Sequence, residues 1–245
     1  MVGRAGGKRE NMRRLSAALA GAALVTVSLG ASSARADDDV VDRANHEDKK
    51  RPNVVWIQPE IGSSYTNLKV FYSRDAAFAK TADAGLLVGV SAGATIPLTG
   101  AHAITFGAFT RVHAVSGYNA RQLGGLAGYR WGRGATGFFV HAMVAPLWVD
   151  NFDTSGMSPS TTASAGDLAL SGFTGGVHGG FDLGLTSWFS VGLTAGIDVM
   201  GWTRPPLPVP AAVSGAIAND PLYTRDGKGT GLILSSALRI GFSFL

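Results

Sequence analysis

Leu232-Ile233-Leu234-Ser235-Ser236-Ala237-Leu238-Arg239-Ile240-Gly241-Phe242-Ser243-Phe244-Leu245 decides how the chain is read. Leu232, Leu234, Leu238, Ile240, Phe242 and Phe244 share one parity, and Ser235, Ala237, Arg239, Gly241 and Ser243 share the other. Period two is the spacing of a β-strand, whose side chains alternate between opposite faces. One face is apolar to its tip; the other is small and carries a charge. A leucine and phenylalanine row facing lipid, with an arginine facing a wet interior, produces that pattern.

Working upstream, the pattern recurs. Phe189 to Val199 sets Phe189, Val191, Leu193, Ala195, Ile197 and Val199 against Ser190, Gly192, Thr194, Gly196 and Asp198. Gly176 to Leu185 sets Val177, Phe181, Leu183 and Leu185 against His178, Gly180, Asp182 and Gly184. Gly137 to Val149, Leu123 to Trp131, Ala103 to Val112, Leu86 to Thr95 and Val54 to Tyr65 complete eight strand candidates. A soluble sandwich would load its wet face with Lys, Glu and Thr. Here that face is mainly Gly, Ser, Ala and Thr, which suits the crowded inside of a small barrel. The 34 glycines fit the same interior, since glycine weakens an ordinary strand.

The expected fold class is all-β: an eight-stranded antiparallel transmembrane up-and-down β-barrel. Lipid excludes an open sheet edge, because every backbone polar group there needs a partner. Short links at 96–102, 132–136 and 186–188 alternate with long ones at 66–85, 150–175 and 200–231, with 114–122 intermediate. Short periplasmic turns and longer outer loops give that alternation.

Residues 1–36 read as a cleaved signal peptide. Arg13-Arg14 precede an apolar run from Leu15 to Gly30, and small residues lead to Ala34-Arg35-Ala36. The signal is complete from Met12 as well as from Met1. Residues 37–53 are charged and read as a flexible periplasmic tail, leaving 54–245 as the barrel domain. The full chain carries 21 Lys+Arg and 17 Asp+Glu, of which Arg4, Lys8, Arg9, Arg13, Arg14, Arg35 and Glu10 fall in the signal. The mature chain therefore has 15 basic and 16 acidic residues, net −1 with His neutral. The basic character belongs to the targeting segment, and no nucleic-acid partner is expected. The absence of Cys excludes disulfides and thiolate metal sites.

Glu60, Arg130, Asp182, Asp198 and Arg239 lie on the inward parity of their strands and are expected to form an interior polar network. Buried charges must pair, because isolated ones are costly. Trp131, Trp148, Trp188 and Trp202 fall near strand ends and are expected to form aromatic girdles at the two membrane interfaces. Tyr223, beyond the proline cluster Pro205-Pro206-Pro208-Pro210, is expected to contact an extracellular partner from an outer loop.

The phrase from Gly180 to Gly192, Gly-Phe-Asp-Leu-Gly-Leu-Thr-Ser-Trp-Phe-Ser-Val-Gly, looks like the penultimate hairpin of small eight-stranded outer-membrane proteins. The terminal strand resembles their assembly signal, although Phe244-Leu245 replaces the usual final aromatic. In architecture, 54–245 resembles the transmembrane domain of outer membrane protein A and OmpW-like barrels. The resemblance implies an outer-membrane location, lipid as a partner, and the barrel-assembly machinery as a partner during biogenesis. The chain ends with its eighth strand, so no peptidoglycan-binding domain is expected to follow.

Little else carries chemistry. Gly175-Gly176 and Gly179-Gly180 lack the pattern of a phosphate loop. His46, His102, His113, His141 and His178 are scattered, so no metal or cofactor is expected. No catalytic residue is assigned and an enzyme is not expected. The favoured function is an envelope structural or surface interaction role, because eight strands leave an interior that side chains can fill. The alternatives are a porin-like pore for small solutes and a lipid-modifying enzyme, the latter through His178, Asp182 and a serine.

Overall fold

The computed structural model describes residues 54–73, 82–133, 136–151, 169–206 and 221–244. The expected signal peptide and periplasmic tail lie outside these residues. Eight antiparallel strands close into one barrel in sequence order: β1 (Val54–Ser73), β2 (Ala82–Pro97), β3 (His102–Val115), β4 (Tyr118–Arg133), β5 (Thr136–Asp150), β6 (Leu170–Gly184), β7 (Phe189–Arg204) and β8 (Gly227–Phe244). A one-turn helix, α1 (Pro221–Thr224), precedes β8. Closure runs through β1 and β8, with Glu60 opposite Arg239 and Ile61 opposite Leu238.

Alternation holds along the strands. On β5, Phe139, His141, Met143, Ala145, Leu147 and Val149 are buried, while Phe138, Val140, Val144 and Trp148 are exposed. Thirty large apolar or aromatic side chains are exposed among the described residues. In water this would be an implausible surface; against lipid tails it is the stable one. On β8 the outward row runs from Leu232 to Phe244. At ~3.3 Å per residue and a ~40° tilt, that row spans about 30 Å, the thickness of a bilayer's hydrocarbon core. Above it the outward residues turn polar, with Arg121, Thr203 and Lys228 exposed.

Val55 lies opposite Phe244, so the two ends of the barrel sequence share one rim with the links between β2 and β3 and between β6 and β7. This is the periplasmic rim, given the short turns there. Gly100 sits in the first of those turns with φ 64°, a left-handed conformation that favours glycine.

Two expectations about links are corrected. Segment 66–85 is partly strand: β1 runs to Ser73 and β2 starts at Ala82. Beyond the membrane the outward side chains need not be apolar, so the alternation that marks a strand fades while the pairing continues. Segment 114–122 is a tight hairpin, with Val115 opposite Tyr118 and only Ser116-Gly117 between.

Pro59 and Pro146 lie in strand interiors. Pairing lapses beside each, between Ile57 and Glu60 on the β1–β8 seam and between Leu147 and Val144 on the β4–β5 seam, and resumes in the same register. Proline has no N–H to give the ladder.

Candidate functional site

The interior is the only part of the described structure where polar chemistry is concentrated away from water. In its middle, Arg111 on β3 grips Glu60 on β1 with both forks: Nε to Oε1 at 2.5 Å and Nη2 to Oε2 at 3.1 Å. Its Nη1 lies 3.1 Å from Nδ1 of His178 on β6. His178 Nε2 is in turn 3.1 Å from both carboxylate oxygens of Asp198 on β7. The same Arg111 Nη1 is 3.2 Å from His178 Nε2, so the guanidinium sits against the ring between its two nitrogens. The chain Glu60–Arg111–His178–Asp198 crosses the bore and ties four strands together.

Toward the periplasm, Arg130 Nη1 donates to Asp182 Oδ2 at 3.0 Å. Arg239 donates to Gln58 Oε1 and stacks over the Phe139 ring, 4.1 Å from its centroid. All five residues assigned to the interior from sequence lie inside the barrel, in two groups. Three carboxylates (Glu60, Asp182, Asp198) face three guanidinium groups (Arg111, Arg130, Arg239), so the formal charges named here cancel.

Arg111 escaped the sequence reading, which set Gln58 on the face of Glu60 without naming it as the partner of Arg239. Arg111 lies on the parity opposite Ile104, Phe106 and Ala108, a signal masked by apolar Phe109 on the same inward face.

The glycines explain how large side chains fit. Directly across the ladder, Glu60 faces Gly89, His178 faces Gly196, Asp198 faces Gly176 and Asp182 faces Gly192. A Cβ on Gly89 would lie 2.7 Å from Glu60 Oε1 and 2.9 Å from Arg111 Cγ. At Gly196 it would clash with the His178 ring. Each polar side chain lies down over a neighbour that has none.

Toward the outer end the lumen changes character. Leu68, Val115, Tyr118, Ala120, Leu147, Val149, Leu170, Met200, Trp202, Tyr223 and Ile233 form one buried apolar cluster. Trp202 Nε1–H donates to the Leu68 carbonyl at 2.8 Å, and the Tyr118 and Thr66 hydroxyls are 2.5 Å apart.

Two expectations fail here. Trp202 is 2% exposed and faces the lumen, not the interface. Its even number on β7 carries the inward parity of Thr194 and Asp198, a signal that proximity to the strand end obscured. Tyr223 is 6% exposed and packs into the barrel mouth from α1, so it is not free on an outer loop. A loop tyrosine reads as surface until the loop is seen to fold back.

Trp131, Trp148 and Trp188 are exposed on the outer wall. Near the periplasmic rim, Trp131 stacks on Phe138 with centroids 5.8 Å apart, and Trp188 stacks on Phe242 at 6.3 Å. Continuous ring contacts of this kind suit a headgroup interface.

The catalytic pairing weighed for His178 and Asp182 does not form. Asp182 holds Arg130, and His178 is held by Arg111 and Asp198.

Among solved structures, Neisserial surface protein A is similar at 11% identity, with TM-score 0.47 over 78% of this chain and 97% of that one. Outer membrane protein OprG from Pseudomonas aeruginosa is similar at 11% identity, with TM-score 0.37 over 80% of this chain and 97% of that one. No family model matches the chain, and no curated protein does either. The class rests on this chain's own closure and apolar wall: it is an eight-stranded outer-membrane β-barrel.

Proposed function

We propose that this barrel serves the outer membrane as a sealed structural or interaction protein and does not conduct solutes. The carrying observation is the outer plug, in which Tyr118, Trp202, Leu147, Met200 and Tyr223 are buried against one another across the bore. Below it the ion-paired layer fills the remaining section. An open pore needs a continuous wet path, and two filled layers of unlike chemistry oppose one. The wall supports lipid as the permanent partner, and the apolar end of β8 supports recognition by the barrel-assembly machinery during insertion.

Planar-bilayer recording of purified monomer tests the reading. The wild type is expected to give no discrete channels, and the Trp202→Ala/Tyr223→Ala double variant is expected to give flickering ones. Reproducible ohmic channels from the wild type would overturn the sealed barrel in favour of a pore. The outer end of the barrel remains the surface through which an external partner would be met, with Tyr223 excluded from that contact by its burial.

A further inference from the structure

The periplasmic mouth of the lumen holds a cavity of about 280 Å³, just below the ~300 Å³ at which ligand pockets of proteins begin. Its lining includes Trp56, Gln58, Arg130, Phe189, Ser190 and Ser243, and no Asp or Glu belongs to the lining. Trp56, Gln58 and Arg130 bring donors to the lining, and Ser190 and Ser243 bring hydroxyls that donate or accept. Trp56 is 5% exposed, and its indole Nε1–H has no hydrogen-bond partner in the protein. A buried donor of this kind costs free energy unless something accepts from it.

Gln58 is oriented by Arg239. Because the guanidinium donates to Oε1, the amide must turn its NH2 end the other way. Arg130 is the cation of the lining, with a side chain 34% exposed although it also binds Asp182. It lies flat over Gly137, where a Cβ would stand 2.7 Å from Nη2. Glycine there leaves room for the guanidinium at the edge of the cavity.

Formal charge sets the kind of anion. Arg130 is the one Arg or Lys of the lining, and Arg239 behind Gln58 has Glu60 opposite it across the β1–β8 seam. The named interior charges already balance, so a monoanion adds one negative charge to a confined space where a phosphate dianion would add two. Phe189 and Trp56 supply an apolar wall for the rest of the ligand.

We propose that the periplasmic mouth binds a small monocarboxylate with an apolar body, its carboxylate accepting from Arg130, Trp56 Nε1–H and the Gln58 amide. The outer plug makes the site a blind cup reached from the periplasm alone. Only this direction of access rests on the sealed-lumen reading, and bilayer recording tests it separately. A carboxylate of this kind comes from a free organic acid or from the end of a peptide.

The test is a titration of the purified full barrel in detergent micelles, followed on the ligand's own NMR signals. Sodium benzoate is the probe and benzamide its neutral counterpart. Saturable benzoate binding is expected, with benzamide at least about tenfold weaker, as loss of charge-assisted hydrogen bonds implies. Trp56→Phe is expected to weaken benzoate about tenfold while retaining the heat-dependent gel mobility of a folded barrel. Arg130→Gln is expected to abolish binding; should it fail to fold with Asp182 left unpaired, Trp56→Phe decides. Tighter binding of N-acetylphenylalanine than of benzoate assigns a peptide terminus, and the reverse assigns a free acid. No saturable benzoate binding, equal binding of benzamide, or unchanged affinity in Trp56→Phe would overturn the site.

Discussion

The middle of the lumen and its outer end are both filled, by opposite chemistry. Around Arg111 every side chain depends on a partner: remove one and a charge is stranded in a place that water reaches poorly. Around Trp202 the contacts are mostly apolar and independent of one another, with one indole bond to a backbone carbonyl. The ionic layer therefore specifies which strands stand where, while the apolar layer supplies stability that salt does not screen.

The largest effect should come from breaking the ionic layer on one side only. Arg111→Met leaves Glu60 buried without its bidentate partner, and a loss of about 3–5 kcal/mol is expected in urea unfolding in micelles. Glu60→Leu/Arg111→Met should recover most of that loss, since a pair replaced by apolar groups of similar size is often neutral. A double variant as unstable as the single one would mean that the layer acts by shape and not by charge. The outer plug should respond differently. Leu147→Ala removes a 1% exposed side chain and should cost about 2–5 kcal/mol, with no partner whose removal restores it.

Between these lies the glycine lattice that lets the ionic layer exist. Gly196→Ala drives a methyl against the His178 ring and should cost about 1–3 kcal/mol. Gly201 on the same strand faces outward, and nothing lies within 4 Å of a Cβ there. Gly201→Ala should stay within about 0.5 kcal/mol of wild type. Equal losses at both sites would trace the cost to the strand backbone and leave the cross-strand fit unsupported.

The sequence made one of these regions visible and hid the other. A charge on the inward parity of an apolar strand stands out, so Glu60, Asp182, Asp198 and Arg239 are legible as interior without coordinates. What is paired with what is not legible, because pairing crosses strands: Arg111 reaches Glu60 across 51 residues of chain, and His178 reaches Asp198 past the nearer Asp182. The outer plug was missed for a different reason. Above the membrane both faces of a strand carry mixed residues, and Leu147 or Val149 reads as one more apolar residue in an apolar strand. Tyr223 joins the plug only through the return of its loop, which no local period encodes.

The smallest effect expected sharpens the contrast from outside. Arg121 Nη2 and Asp150 Oδ2 are 3.4 Å apart across the β4–β5 seam, with side chains 52% and 35% exposed. The same two kinds of group that hold the middle of the lumen meet here in water. Side-chain entropy and salt screening offset most of the attraction, so Arg121→Ala should cost less than about 1 kcal/mol. Raising ionic strength should shrink even that, while the cost of Arg111→Met should hardly move, because counterions cannot approach a pair enclosed by the barrel. The pair of salt titrations separates burial from charge as the source of the ionic layer's strength. A salt-sensitive Arg111→Met loss would show that ions reach the middle of the bore, and that would argue against a sealed lumen.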